Sequence, residues 1–242
     1  IKAHIKNNAD LTVVYHNGIV PKNEGETMLL SLDDNNKVTS VEFNKEGGKE
    51  GSYSIGITII GRELLLKLAN EAYEENLASL NRDVIAEKLK KLNVYGFCHN
   101  EYVMFMNSVE SFYAANMDLL KGEVRHQLLN RERPIFTKTR DDMPSRYGTK
   151  SKVKNSLIAD GCVIDGTVKN SILFRGVKVN KGAVVENCIL MQETVVGENA
   201  QLDNVIADKN AVIGENMILK GTNEKQMLLK KENVFGICIN RF

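Results

Sequence analysis

The residues that most invite a chemical reading are those of one stretch, Lys45-Glu46-Gly47-Gly48-Lys49-Glu50-Gly51, which joins glycines to lysines as phosphate-binding loops do. Such loops work when they follow a strand and open a helix, so that backbone N–H groups point at the anion. This one does not sit between a strand and a helix, and its glutamates would repel phosphate, so it reads as a surface loop. The cysteines Cys98, Cys162, Cys188 and Cys238 are scattered with no C-x-x-C spacing. They read as reduced, buried thiols of a cytoplasmic protein, and no metal site is indicated. Four histidines, His4, His16, His99 and His126, complete the inventory of candidate bases, and none of them falls between residues 151 and 221.

That last segment is the most strongly patterned part of the chain. One phrase is written four times, as VKNSLIADGCVI at 153–164, VKNSILFRGVKV at 168–179, VENCILMQETVV at 185–196 and LDNVIADKNAVI at 202–213. Each copy opens on an aliphatic residue, carries Asn third (Asn155, Asn170, Asn187, Asn204), runs through an apolar pair and closes on Val or Ile. Aliphatic residues recur about every six positions, whereas a helix needs spacings of three and four. Six-residue steps rich in β-branched residues suit short strands joined by corners, three to a coil, stacked as a parallel β-helix with Val, Ile and Leu pointing inward. The repeated Asn residues are expected to form a hydrogen-bonded ladder from coil to coil.

Around this repeat, the 242 residues are 43% hydrophobic with a formal net charge of +1. That is enough apolar material for one or two cores, and it gives no reason to expect nucleic acid as a partner. No apolar run approaches the ~20 residues of a membrane helix, so a soluble, cytoplasmic protein is expected. The pattern before the repeat predicts a helix ending near Asn8, then strands at 11–15, 27–32 and through Val38 and Val41. A turn at Asp33-Asp34-Asn35-Asn36 separates the last two. A strand at 53–60, a helix over 62–75 with Leu65, Leu68, Ala69 and Ala72 on one stripe, and a helix carrying Val84, Ile85, Leu89 and Leu92 follow. Strands at 94–98 and 102–106 come next, then a helix to about Leu120 opened by an Asn107/Glu110 capping box. Alternating strands and helices imply an α/β domain over 1–120, residues 121–150 a connector, and 151–242 the β-helix.

An α/β domain followed by such a β-helix resembles the sugar-nucleotide pyrophosphorylases. SIGITII at 54–60 is similar to the S-M-G-I-Y-V-F strand of that family, YVMFMNSVESFY at 102–113 to Y-W-R-D-V-G-T-L-E-A-Y-W, RPIFTKTRDDMPSRY at 133–147 to the W-P-I-R-T segment, and SLIADGCVI at 156–164 to S-L-V-S-G-G-C-V-I. On these segments the chain is identified as a member of the glucose-1-phosphate adenylyltransferase (ADP-glucose pyrophosphorylase) family. The resemblance implies a nucleotidyltransferase-type (Rossmann-like) α/β domain lacking its first half, and a left-handed β-helix of hexapeptide repeats.

The same resemblance implies a reaction and its residues. The family joins ATP and glucose 1-phosphate into ADP-glucose and pyrophosphate with Mg²⁺, in glycogen biosynthesis. The substrate-side positions fall on Asn44 and Lys45, where the family has the lysine of F-V-E-K-P, and on Ser54 and Gly56 in the SIGITII strand. The metal-binding Asp of W-R-D-V-G-T aligns with Phe105, and a phenyl ring offers a hard cation no ligand. Phe105 is expected to pack in the core as part of a strand. This departure most resembles the GlgD-type subunit, a non-catalytic or regulatory partner of the catalytic adenylyltransferase subunit, associating with it or with itself and possessing no cofactor of its own. An active but divergent pyrophosphorylase is the alternative reading. A hexapeptide acyltransferase would need an imidazole base within the β-helix, which this sequence lacks there, and a ligand-free scaffold stays open.

Overall fold

The structure, a computed structural model, describes residues 1–20, 22, 26–77, 79, 82, 85–137 and 139–230, with the backbone of 234–235. It divides into two compact units, Ile1–Phe105 and Met106–Phe242. The first is an α/β unit built on a five-stranded mixed sheet, in the order β3 (Val38–Asn44), β2 (Thr27–Leu32), β4 (Glu50–Ile60), β1 (Leu11–Ile19), β5 (Val94–Cys98). Strand β1 pairs antiparallel with β4 and parallel with β5. Alternation along the strands sends Leu11, Val13, Tyr15, Met28 and Leu30 to one core, where Ile85 and Val94 are fully buried and Leu89 and Leu92 pack against them. Val84 lies outside the described residues. Leu29 and Tyr53 take the opposite face with Val20.

Two expectations in this unit need correction. Helix α2 (Arg62–Glu74) forms, but of its stripe only Leu68 is buried, while Leu65 stays 40% exposed. Periodicity says which residues share a face, and here only one of them meets the core. Residues 102–106 form no strand. Of this segment Phe105 packs against an apolar cluster, whereas Met106 is exposed. A short helix, α1 (Lys2–Lys6), precedes β1 and is tied to it by His4 Nδ1 and Thr12 Oγ1 at 2.9 Å.

The second unit is a parallel β-solenoid of about four turns. One sheet stacks Lys152–Lys154, Thr167–Lys169, Val184–Glu186, Gln201–Asp203 and Ile218–Lys220. A second stacks Leu157–Ile158, Ile172–Leu173, Ile189–Leu190, Val205–Ala207 and Met227–Leu229. The third runs from Arg146–Tyr147 through Val163–Ile164, Lys178–Val179, Val195–Val196 and Val212–Ile213 to Val234–Phe235. Equivalent residues of the repeat pair in register, so Val168, Val185, Leu202 and Leu219 form one buried inward column at the strand spacing of ~4.8 Å. Of the apolar closing phrase at 232–242, only the backbone of 234–235 lies within the described residues.

Helix α3 (Val109–Asp118) and α4 (Gly122–Leu128) belong to this second compact unit. The physical tie is Tyr113, whose hydroxyl donates to the Asn187 carbonyl at 2.8 Å and lies 3.3 Å from Asn204 Oδ1. Ile172, Ile189 and Ile206 point away from the solenoid interior and are nonetheless buried, on the face where Val109 and Phe112 share an apolar pocket with Ile206 and Leu228. The N-cap of α3 is Ser108 and its capping-box partner is Ser111, one residue along from the expected Asn107 and Glu110.

The repeated Asn residues do more than the expected ladder. Asn155, Asn170, Asn187 and Asn204 all have left-handed backbones, with φ between 47° and 53°. Asn tolerates that region better than other side-chain-bearing residues, so these positions turn the corner of each coil. The side chains also link coils: Asn155 donates to Asn170 at 2.9 Å and Asn170 to Asn187 at 3.4 Å. At the next step the ladder is rerouted, since Asn187 and Asn204 both donate to Asp203 Oδ1.

Candidate functional site

The expected substrate-side residues lie on the β3-β2-β4 part of the first sheet. Strand β4 is bulged: Val13 faces Thr58 and Tyr15 faces Ser54, which leaves Ile55, Gly56 and Ile57 opposite Val14 alone. Gly56 sits in the bulge at φ +79°, a conformation that a residue with a Cβ adopts only under strain. Its N–H donates to Ser54 Oγ at 3.2 Å, and Ser54 is itself buried, so the serine hydroxyl holds the bulge in shape. Ser54 and Gly56 are therefore brought together as one local device. Asn44 ends β3 opposite Thr27, and its Oδ1 accepts the Gly47 N–H at 2.7 Å, closing the turn into the glycine loop. The sheet register sets Asn44 at the same end of the sheet as the bulge, two strand spacings or roughly 10 Å away. Lys45 is 75% exposed and its Nζ lies 3.8 Å from Glu26, which also pairs with Arg82. Lys45 is thus turned to Glu26 and not to Ser54 or Gly56.

The glycine loop is fixed to the sheet. Gly48, at φ +74°, donates its N–H to the Val20 carbonyl at 2.7 Å, and Val20 donates back to Lys49 O at 2.9 Å. Lys49 pairs with Glu42 across the loop at 2.6 Å. Both lysines of the stretch thus face carboxylates, which agrees with a surface loop and leaves little positive charge for a phosphate.

Phe105 lies next to this region. It is half-buried against Val20, Leu29, Tyr53 and Ile55, with its ring 6.1 Å from that of Tyr53. Its packing is apolar, as expected, although it belongs to no strand. Mg²⁺ requires oxygen ligands in near-octahedral array, and the side chains around Phe105 supply carbon. Among the described residues, no three His, Cys, Asp or Glu side chains converge as a metal site. The residues present do not fit the family's metal at this position.

Tyr53 was not singled out in the sequence, and His16 was named there only among the candidate bases. Tyr53 is buried, which raises its phenol above the ordinary range and keeps it neutral. His16 packs edge-on to it, with ring centroids 5.7 Å apart. The Nδ1 of His16 is 2.7 Å from the His99 carbonyl, which can only accept, so Nδ1 carries a proton and donates it there. The signal for this pair was the register: His16, Tyr53, Leu29 and Glu42 fall on one row across the sheet. In the solenoid, Cys162 and Cys188 are fully buried, and burial above all pushes Cys188 up to about 12, so neither offers a thiolate. Cys98 is half-buried and free, and Cys238 lies outside the described residues. Among the described residues no helix is long and apolar enough to cross a membrane.

Comparison with known proteins agrees with the solenoid. Residues 141–230 match the family described as GlmU-like, C-terminal hexapeptide. The chain is 61% identical over 127 residues to the glycogen biosynthesis protein GlgD of Geobacillus stearothermophilus, a match that covers 52% of the chain and 37% of that relative. It is 36% identical over 129 residues to GlgD of Bacillus subtilis (strain 168), covering 53% of the chain and 37% of the relative. The matched region thus spans little more than a third of the length of these relatives.

Proposed function

We propose that this chain, a homologue of glycogen biosynthesis protein GlgD over about half its length, is part of a subunit that supports ADP-glucose synthesis without catalysing it. The observation that carries this reading is Phe105. By sequence resemblance position 105 corresponds to the family's metal-binding carboxylate, and the ring there packs with Val20, Leu29 and Tyr53. In-line attack of a sugar phosphate on the α-phosphate of ATP is accelerated by positioning and by neutralising charge on the phosphates. A site that presents a phenyl ring where the metal is held, and whose nearby lysines are paired with carboxylates, supplies little of that neutralisation.

In this reading Asn44, Lys45, Ser54 and Gly56 are the remnant of a sugar-phosphate site. Asn44 and Ser54 have taken up structural hydrogen bonds in the turn and the bulge. The partner is the catalytic glucose-1-phosphate adenylyltransferase subunit, joined through contacts that include the solenoid, in the cytoplasm where glycogen is made. The test is pyrophosphate release from ATP and glucose 1-phosphate in Mg²⁺, by the complete subunit that contains this chain, measured alone and with the catalytic subunit. No turnover alone and raised turnover of the pair are expected. Robust turnover by the subunit alone would overturn the proposal.

A further inference from the structure

A second cleft in the α/β unit, of about 810 Å³, is separate from the bulge and the Phe105 cluster. Its walls are the end of α1, with Lys6 and Asn7, the turn Asp34-Asn35-Asn36, and the outer side of β5, with Tyr95 and Phe97. The volume falls in the range of small-molecule sites. Its frame is rigid. Asp33 Oδ1 accepts the N–H groups of Asn35 and Lys37 at 2.8 and 2.9 Å, Asn36 adopts φ +63°, and the Asn36 carbonyl accepts the Gly96 N–H at 2.7 Å. Gly96 makes this close approach possible, because a Cβ there would come within 2.6 Å of Leu32 and 2.8 Å of Tyr15.

Of the polar groups in the lining, Asn36 Oδ1 accepts from the Tyr15 hydroxyl at 3.3 Å and the Cys98 sulfur is engaged with Asn17 and Asn100, while the others are not used by the protein itself. Among the described residues, the side chains of Lys6, Asn7, Asp34, Asn35 and Tyr95 take part in no hydrogen bond or ion pair. Phe97 leaves its ring 47% exposed beside them. Two carboxamides and a carboxylate are planar groups that donate and accept in pairs, which matches the vicinal hydroxyls of a sugar. An exposed aromatic ring offers an apolar platform for the C–H face of a pyranose. One lysine opposed by one aspartate leaves no net charge to hold a phosphate. Because the turn is already held in shape, little ordering would be needed on binding.

We infer that this cleft binds a neutral saccharide chain, in the glycogen setting proposed above the end of an α-glucan. The choice of an α-linked glucan rests on that setting, while the saccharide class rests on the cleft. The experiment is a titration of the full chain with maltoheptaose, followed by amide chemical shifts, with cellohexaose in parallel. Asn35→Ala and Phe97→Ala alter exposed side chains only, and their folding is checked by thermal melting. Saturable binding of maltoheptaose with Kd near ~1 mM, weakened about tenfold or more in each variant, is expected. No saturable binding of either sugar, or binding that neither variant changes, overturns the inference. Equal binding of cellohexaose through the same two residues would uphold the cleft as a saccharide site and remove the glycogen setting. No nucleotide or partner subunit takes part, so the outcome is independent of the Phe105 test.

Discussion

Replacing Tyr113 with Phe isolates one hydroxyl that ties α3 to the solenoid. The ring stays, so packing is kept, and what is lost is the 2.8 Å hydrogen bond to the Asn187 carbonyl and the 3.3 Å approach to Asn204 Oδ1. Asn204 is buried, and Asn187 is itself committed to Asp203, so neither side chain can turn to replace the missing donor. Leaving a partly desolvated carbonyl unpaired costs about 1–2 kcal/mol. With urea m values of about 1–3 kcal/mol per M, the midpoint of the solenoid transition should fall by about 0.3–2 M. The same hydroxyl carries a pH signature. Burial first, then the neighbouring Cys188 and Asp203, raises Tyr113 from its ordinary 10.0 to about 12. The unfolded chain therefore loses this proton at lower pH than the folded one. The stability that depends on the neutral phenol is complete below pH 10 and declines as pH rises from 10 towards 12. Urea melts of wild type and Tyr113→Phe at neutral pH and at pH 11 measure both effects, and the difference between the two proteins should shrink at the higher pH. Equal midpoints at neutral pH, or a difference that does not change with pH, would refute the account of Tyr113 as a buried tie.

Three further outcomes follow from the geometry. Leu202→Asp places a carboxylate in the inward column beside Val185 and Leu219; at a cost of several kcal/mol it should abolish the cooperative solenoid transition seen by circular dichroism. Asn187→Ala should lower stability by about 1–2 kcal/mol, from the left-handed backbone at φ 52° and the lost side-chain bonds. Asn187→Gly should recover the backbone part, and equal loss in the two variants on denaturant melts would show that the corner is not strained. Phe105→Asp should destabilise the α/β unit by about 1–2 kcal/mol, less than a fully buried ring because the ring is half-buried, without producing Mg²⁺-dependent pyrophosphate release. Gain of that activity would show that the position still belongs to a working metal site.

The sequence by itself determined the solenoid. Its period, its β-branched residues and its apolar pairs each report a local preference, and the preferences agree at every copy, so the repeat alone assigns Val168, Val185 and Leu202 to the interior. Strand β5 is legible at Val94–Cys98 for the same reason. The chemical poverty of position 105 is also legible, since no fold turns a phenyl ring into a metal ligand. What periodicity cannot report is whether a face is covered. In α2 it marks a stripe of which only Leu68 is buried, and in Ile172, Ile189 and Ile206 it marks a second apolar column that is buried although it faces away from the solenoid interior. The repeated Asn reads as a ladder, but its left-handed corner depends on how each coil closes, and at Asn204 the adjacent Asp203 takes the side-chain bond while Tyr113 arrives from elsewhere in the chain. Family resemblance marks Asn44 and Ser54 as ligand contacts from their positions in two strands. Only the register and the bulge decided that both side chains are engaged in local hydrogen bonds, while the unpaired side chains of Lys6, Asn7, Asp34, Asn35 and Tyr95, far apart in sequence, line one cleft. Contacts of that span come from chain topology, which no short stretch of sequence carries.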